Sequence, residues 1–219
     1  MKSTVSFLED PRITYLALRK TVGGLGILFP VILIVGSFTF NGIENLPNCQ
    51  KFQPSISAYY HTGMRDFFVG ILCVIAIVFF AYRSKDDKQD NIAGTIAGIF
   101  TLGVAFFPTS VEESSICMSK IIGNSFVGKI HLISAAFLFI TLAFFSLILF
   151  TKDAKRKKSK LIYQLCGSVM LGCIFLIGLY FLFLKREFPG LGYYKPVLWL
   201  ESFALFAFGI SWLRKGEFL

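Results

Sequence analysis

No phosphate-binding loop, dinucleotide fingerprint, nucleophile elbow or haem-attachment signature occurs in this sequence, so the reaction classes those motifs announce are left without support. No Cys-x-x-Cys occurs, and no Cys/His spacing suits structural zinc. No apolar run carries a central lysine, which argues against a retinal Schiff base. No internal repeat relates the two halves, which weighs against an inverted-repeat transporter. Histidine is scarce: His61 and His131 are the only two. Cysteine is limited to five, of which Cys73, Cys166 and Cys173 fall in apolar runs as small packing residues. Cys49 and Cys117 fall in two loops expected on the outer side. An oxidising compartment would let them pair, and the sequence leaves that pairing open.

What the chain has in excess is apolar surface. It is 55% hydrophobic, holds 26 Phe and has a mean hydropathy of +0.67. A soluble domain is nearer ~45–50% apolar. These features describe an all-α polytopic transmembrane helix bundle of about six spans, forming one integral membrane domain over residues 1–219. The expected spans are approximately 22–40, 60–82, 92–107, 130–150, 161–184 and 196–213. The first is not expected to be a cleaved signal. Its lead, Met1 to Lys20, is long and contains Glu9 and Asp10, and no small-x-small site follows Phe40. The lead reads as a short interfacial helix capped by Asp10, started by Pro11 and hinged into the span at Gly23-Gly24.

The net charge of +9 is a matter of topology, and no nucleic-acid partner is expected. Fifteen of the 22 Lys and Arg fall in the termini and the second-to-third and fourth-to-fifth loops, leaving seven for the other side. The positive-inside rule then places both termini in the cytoplasm. The cluster Lys155-Arg156-Lys157-Lys158 has two readings, a topology determinant or a docking patch for anionic lipid heads. In the third span, Ala93/Ala97 and Gly94/Gly98 repeat at four residues, the spacing that lets helices approach closely, so this helix is expected to be central. Pro108 ends it and Asp90 is a candidate cap for its start. The fifth span is apolar all round and reads as lipid-facing or as filler.

One segment concentrates polar groups where they are costly. Ser55 to Asp66 runs into Phe67–Tyr82, which spans only roughly 24 Å at ~1.5 Å per residue, short of the ~30 Å hydrocarbon core. The helix is therefore expected to begin earlier, with Ser57, His61 and Arg65 stacked on one face and Asp66 on another. Topology brings His131, at the start of the fourth span, to the same depth. Glu201 lies about 12 Å below Tyr193 in the sixth span. Ionisable groups at such depths are functional candidates. His61 and His131, with Asp66 or Glu201, form a candidate ligand set for zinc, whose bound water would be a hydrolytic nucleophile. Ser57, Asp66 and Glu201 are the candidate catalytic groups. Tyr59, Tyr60 and Arg65 are candidates for binding. The competing view is that the exposed groups snorkel at the interface while Glu201 hydrogen-bonds within the bundle or pairs with Arg65.

The runs SISAYYHTGMRDFFVG, DDKQDNIAGTIAGIFTLGVAFFPT, GKIHLISAAFLFITLAFFSLILF and PVLWLESFALFAFGISWLRKGE resemble a family of uncharacterised bacterial multi-pass membrane proteins. The resemblance covers most of the chain beyond Ser55. It implies a protein of the bacterial inner (cytoplasmic) membrane and supplies no reaction. Separately, Ser57-x-x-x-His61 is similar to the Ser-x-x-x-His motif of the superfamily uniting alkaline ceramidases with progestin and adipoQ receptors. That similarity implies a zinc-dependent amide or ester hydrolase with His61 as a ligand and Ser57 supporting it. The C-terminal His-x-x-x-His of that superfamily is missing: the sixth span offers Trp199-Leu200-Glu201-Ser202. Three functions stay open. One is a metal-dependent hydrolase of a lipid-like amide or ester. The second is a small-molecule or ion transporter or binding protein using Glu201 with Arg65 and Asp66. The third is a non-catalytic scaffold or complex subunit. Membrane lipid is the expected partner of each.

Overall fold

The structure, a computed structural model, describes residues 11–43, 51–83, 87–110 and 125–218. Cys49 and Cys117, whose pairing the sequence leaves open, lie outside them, as does Asp10. The described residues are helical, without strands. Six long helices follow one another: α1 (Pro11–Ile43), α2 (Arg65–Ala81), α3 (Lys88–Phe106), α4 (Ser125–Phe144), α5 (Lys157–Leu179) and α6 (Pro196–Lys215). Each packs on its sequence neighbour, α6 packs on α1, and the six close into an up-and-down ring. The contacts of α1 with α6 are antiparallel, so both ends of the described chain lie at one end of the ring, here termed the terminal end.

Among the described residues, four helices are long and apolar enough to cross a membrane: Tyr15–Thr39, Phe126–Phe150, Lys157–Glu187 and Pro196–Lys215. Of these, Lys157–Glu187 is the least buried against the rest of the chain, which fits a lipid-facing helix. The helices α2 and α3, with 17 and 19 residues, complete the ring but are shorter.

Small residues set the closest approaches. α1 runs unbroken through Gly23-Gly24, so the expected hinge is absent. Gly23 instead faces α6. A Cβ there would sit 2.7 Å from the Leu213 amide and 2.9 Å from the Gly209 carbonyl oxygen. The repeated small residues of α3 do bury, but they bury against α2. A Cβ on Gly94 would lie 2.9 Å from Phe79 O, and one on Gly98 would strike the Phe80 ring. α3 is thus one member of the ring between α2 and α4, and does not occupy its centre. Its cap is Asp87, which accepts from Gln89 N at 2.8 Å, and not Asp90.

Aromatic rings fill the terminal half. Trp212 is fully buried, with the rings of Phe79, Tyr82, Phe145 and Phe150 centred 5.2–5.4 Å away. A π-helical turn, Phe145–Phe150, prolongs α4. Its wider turn brings Phe145, Ser146, Leu149 and Phe150 inward together, and the Thr151 hydroxyl donates to Ser146 O at 2.9 Å. A second π turn, Tyr180–Leu184, prolongs α5 at the opposite end of the ring.

Candidate functional site

The polar segment Ser55–Asp66 does not form one helix with α2. It makes a 3-10 turn, Ser57–His61, and then breaks. Thr62 is extended, and its hydroxyl donates to Tyr59 O at 2.8 Å and accepts from Met64 N at 3.1 Å. Such a side-chain turn competes with helix continuation. Ser57, His61 and Arg65 therefore do not form the expected single face. Arg65 and Asp66 open α2 as exposed residues, and the Arg65 guanidinium lies 4.7 Å from the Tyr60 ring centre while donating to its hydroxyl at 3.1 Å. Tyr59 and Tyr60 are buried, and the Tyr59 hydroxyl donates to Lys51 O at 3.2 Å.

Residues 52–56 form a strap along the first two turns of α6. The Lys195 ammonium donates to Phe52 O, Leu198 N donates to Pro54 O at 3.1 Å, and Ile56 N donates to Glu201 Oε2 at 2.5 Å. The spacings match: residues 52, 54 and 56 meet residues 195, 198 and 201, which follow one another at about one helical turn. The Leu198 amide is one of the N–H groups a helix start leaves unpaired, and the strap supplies its acceptor. Ile56 is the residue that leads into the 3-10 turn, so the Glu201 carboxylate fixes the head of that turn. Its partner is a backbone amide and not Arg65. Lys195 takes a left-handed backbone, φ 50°, a costly conformation for a lysine, at the point where the chain turns into α6.

Both histidines serve the end of α3. Pro108 stops that helix and leaves carbonyl oxygens in need of donors. His131 Nδ1 lies 2.7 Å from Phe107 O, and His61 Nε2 lies 2.8 Å from Thr109 O. A carbonyl only accepts, so each of these nitrogens carries the hydrogen, leaving His131 Nε2 and His61 Nδ1 bare in the neutral rings. His61 Nδ1 is buried with no hydrogen-bond partner. Burial holds the His61 pKa below the ordinary histidine value. The Thr109 carbonyl opposes that shift and the Arg65 charge adds to it. The folded protein resists protonating this ring and the unfolded chain does not, so the stabilisation is full above about pH 6.5 and is lost as the pH falls below it. His61→Gln keeps an N–H for Thr109 and cannot titrate. Its melting temperature is expected to fall less than that of the wild type between pH 7 and pH 5; parallel curves would remove His61 from the pH response.

These elements frame a cleft of about 660 Å³ between α4, α5 and α6 at the end opposite the termini. Ser57, His131, Lys185, Lys195 and Glu201 supply its polar lining, and Leu132, Ile177, Phe181 and Val197 its apolar walls. Of the residues expected from sequence, Ser57, His131 and Glu201 meet here, and His61 adjoins through Thr109. Tyr59, Tyr60, Arg65 and Asp66 do not line it. Lys185, Lys195, Thr109 and Tyr180 are cleft residues that sequence reasoning missed. The signal for the lysines was their place at the same end of the bundle as the polar segment. Ser57 Oγ shares a hydrogen bond with Ser55 Oγ at 3.2 Å, while each histidine bonds a carbonyl of α3. Among the described residues no group of three or more His, Cys, Asp or Glu comes together as a metal site.

Comparison with known proteins adds a family. Residues 58–211 match the model of the family described as "Protein of unknown function (DUF998)". No curated protein and no solved structure matches the chain. The match takes in the 3-10 turn after Ser57, the strap's anchor at Glu201, both histidines, the whole of α2 to α5 and α6 as far as Ser211, and on that match the chain belongs to this family of uncharacterised proteins.

Proposed function

We propose that this multi-pass membrane protein is a binding protein for a lipid-like amphiphile with an anionic head, which it receives in the cleft between α4, α5 and α6. The observation that supports the reading is the division of the lining. Polar groups, Lys185, Lys195, His131 and Glu201, share one cavity with the apolar side chains of Leu132, Ile177, Phe181 and Val197. A cavity of about 660 Å³ falls in the ~300–1,000 Å³ range of small-molecule sites. An anionic head would meet lysine, and a tail would follow the apolar wall of the weakly buried α5 towards lipid. In this reading all six helices cross the bacterial inner membrane with both termini cytoplasmic. The basic residues gathered at the terminal end agree with that orientation, and the polar cleft then faces outward.

Purified protein in neutral detergent, titrated with a fluorescent single-chain fatty acid, tests it. Wild-type protein is expected to bind saturably. Leu132→Trp and Ala135→Phe, which fill the cavity from α4, are expected to weaken binding about tenfold or more, equivalent to ~1.4 kcal/mol or more. Unsaturable partitioning, equal in wild type and both variants, would sink the reading.

A metal-dependent hydrolase is the second reading, and the bare nitrogens of His61 and His131 near the end of α3 are what favour it. It needs a third ligand that the described residues do not add. Elemental analysis of protein purified without chelators decides it: one zinc per chain, lost in His61→Ala, supports the site, and metal-free active protein ends it.

A further inference from the structure

A second cavity, of about 530 Å³, opens at the terminal end of the ring, remote from the cleft. It lies among α1, the end of α4, the α4–α5 connection, and the facing ends of α5 and α6. Its lining brings five cations, Arg19, Lys155, Arg156, Arg214 and Lys215, to one space with two carboxylates, Asp153 and Glu217. Asp153 pairs with Lys215 at 2.7 Å. Two of the three arginines, Arg19 and Arg214, are oriented by hydroxyl groups. Arg19 donates through Nε and Nη2 to the Tyr82 hydroxyl at 3.3 and 2.9 Å, and its guanidinium lies 5.3 and 5.5 Å from the ring centres of Tyr15 and Tyr82. Arg214 donates through the same two nitrogens to Ser159 Oγ at 3.2 and 2.9 Å.

Tyr82 is fully buried, so the group that positions Arg19 is itself rigid. A guanidinium held in place by a neutral phenol and two aromatic faces keeps its full charge, and its remaining N–H groups form a planar fork suited to phosphate. The floor is apolar: the Phe150 ring lies beneath the Lys215 ammonium, 5.1 Å away. The cavity is thus basic, preshaped and bounded by the ends of three helices long enough to cross a membrane. In such a protein that level is where phosphodiester groups lie, and acyl chains can descend between helices from there.

We propose that this cavity binds the phosphate-bearing headgroup of an anionic phospholipid, with Arg19 as the fixed phosphate ligand and Lys155 and Arg156 closing over the headgroup from the α4–α5 connection. The cluster Lys155-Arg156-Lys157-Lys158 then has a use beyond orientation: its first two members line the cavity, and the next two begin α5.

The test uses the full-length protein in neutral detergent, with the melting temperature read against added lipid. Phosphatidylglycerol is expected to raise it saturably, whereas phosphatidylcholine and soluble glycerol phosphate are not. Arg19→Gln is expected to weaken the apparent affinity for phosphatidylglycerol about fivefold and Lys155→Ala/Arg156→Ala, which alters exposed side chains, about thirtyfold, the equivalents of ~1 kcal/mol per basic residue at a membrane surface. Lys129→Gln/Arg186→Gln removes the same charge at the other end of the ring and should leave the response as in wild type. Equal protection by phosphatidylcholine would overturn the proposal. So would protection by glycerol phosphate that matches phosphatidylglycerol, since the ligand would then be a soluble phosphate. An undiminished lipid response in the double variant Lys155→Ala/Arg156→Ala would overturn it as well, and that variant does not depend on the fold tolerating the loss of Arg19.

Discussion

Gly209→Val is expected to open the helix ring at its closing contact and to destabilise the protein by about 3 kcal/mol, the upper end of the cost of overpacking. A Cβ at position 209 would lie 2.7 Å from the Gly23 carbonyl oxygen, 3.0 Å from the Ile27 amide and 2.5 Å from Ile27 Cγ1. Two of those three atoms are backbone and cannot swing aside, so relief requires α1 and α6 to separate. Gly23 meets the same obstacle from the other side, which makes the contact reciprocal. In lipid, helices gain little from hiding apolar surface, and close packing between small residues is the main source of association. Gly24 supplies the control. Nothing lies within 4 Å of a Cβ built there, so Gly24→Ala should be neutral or stabilising, since alanine favours helix by about 1 kcal/mol over glycine. Thermal melts of both variants in one detergent make the comparison. A wild-type melting temperature for Gly209→Val would show that the close approach is not required.

The second large effect is expected at Trp212. Its indole plugs the terminal half of the ring, with rings from α2, from the π turn after α4 and from α6 (Phe208, 6.0 Å) around it. Trp212→Ala should cost about 3–5 kcal/mol, the range for emptying a large aromatic from a packed core. The loss is dispersion contact and void, since rigid neighbours on three helices cannot collapse into the space. Trp212→Phe should cost far less. The indole Nε1 is buried without a hydrogen-bond partner, so removing it relieves a desolvation penalty of about 1–3 kcal/mol that offsets part of the lost volume. Chemical or thermal unfolding of the pair tests this. Equal destabilisation by Ala and Phe would mean that a polar contact of the indole, and not its bulk, holds the site.

The helices were legible because their signals are local. Apolar runs gave six helices near the expected places, and the Gly/Ala spacing of α3 correctly marked a close-packing face. The errors arose where a side chain competes with the backbone. Thr62 cuts Ser57–His61 away from α2 through two hydrogen bonds of its hydroxyl, and no helical periodicity could report that. Asp87 took the cap expected of Asp90, a shift well within the uncertainty of helix ends. Gly23 suggests a hinge along the sequence because glycine frees the backbone. Its partner Gly209 lies nearly the whole chain away, so its use in close packing was invisible along the sequence.

The candidate site divides the same way. A reader of the sequence alone can recognise a helical membrane protein and can mark Ser57, His61, His131 and Glu201 as polar groups in need of partners, because both signals come from apolar runs and the polar residues that adjoin or interrupt them. The identity of those partners comes from the folded chain. Glu201 meets an amide 145 residues away, and His61 and His131 meet carbonyls 48 and 24 residues away. Backbone amides and carbonyls are the same at every position, so no residue type announces them. Which ones become available depends on where a proline ends α3 and where a strap crosses α6, and those places are fixed only when the ring closes.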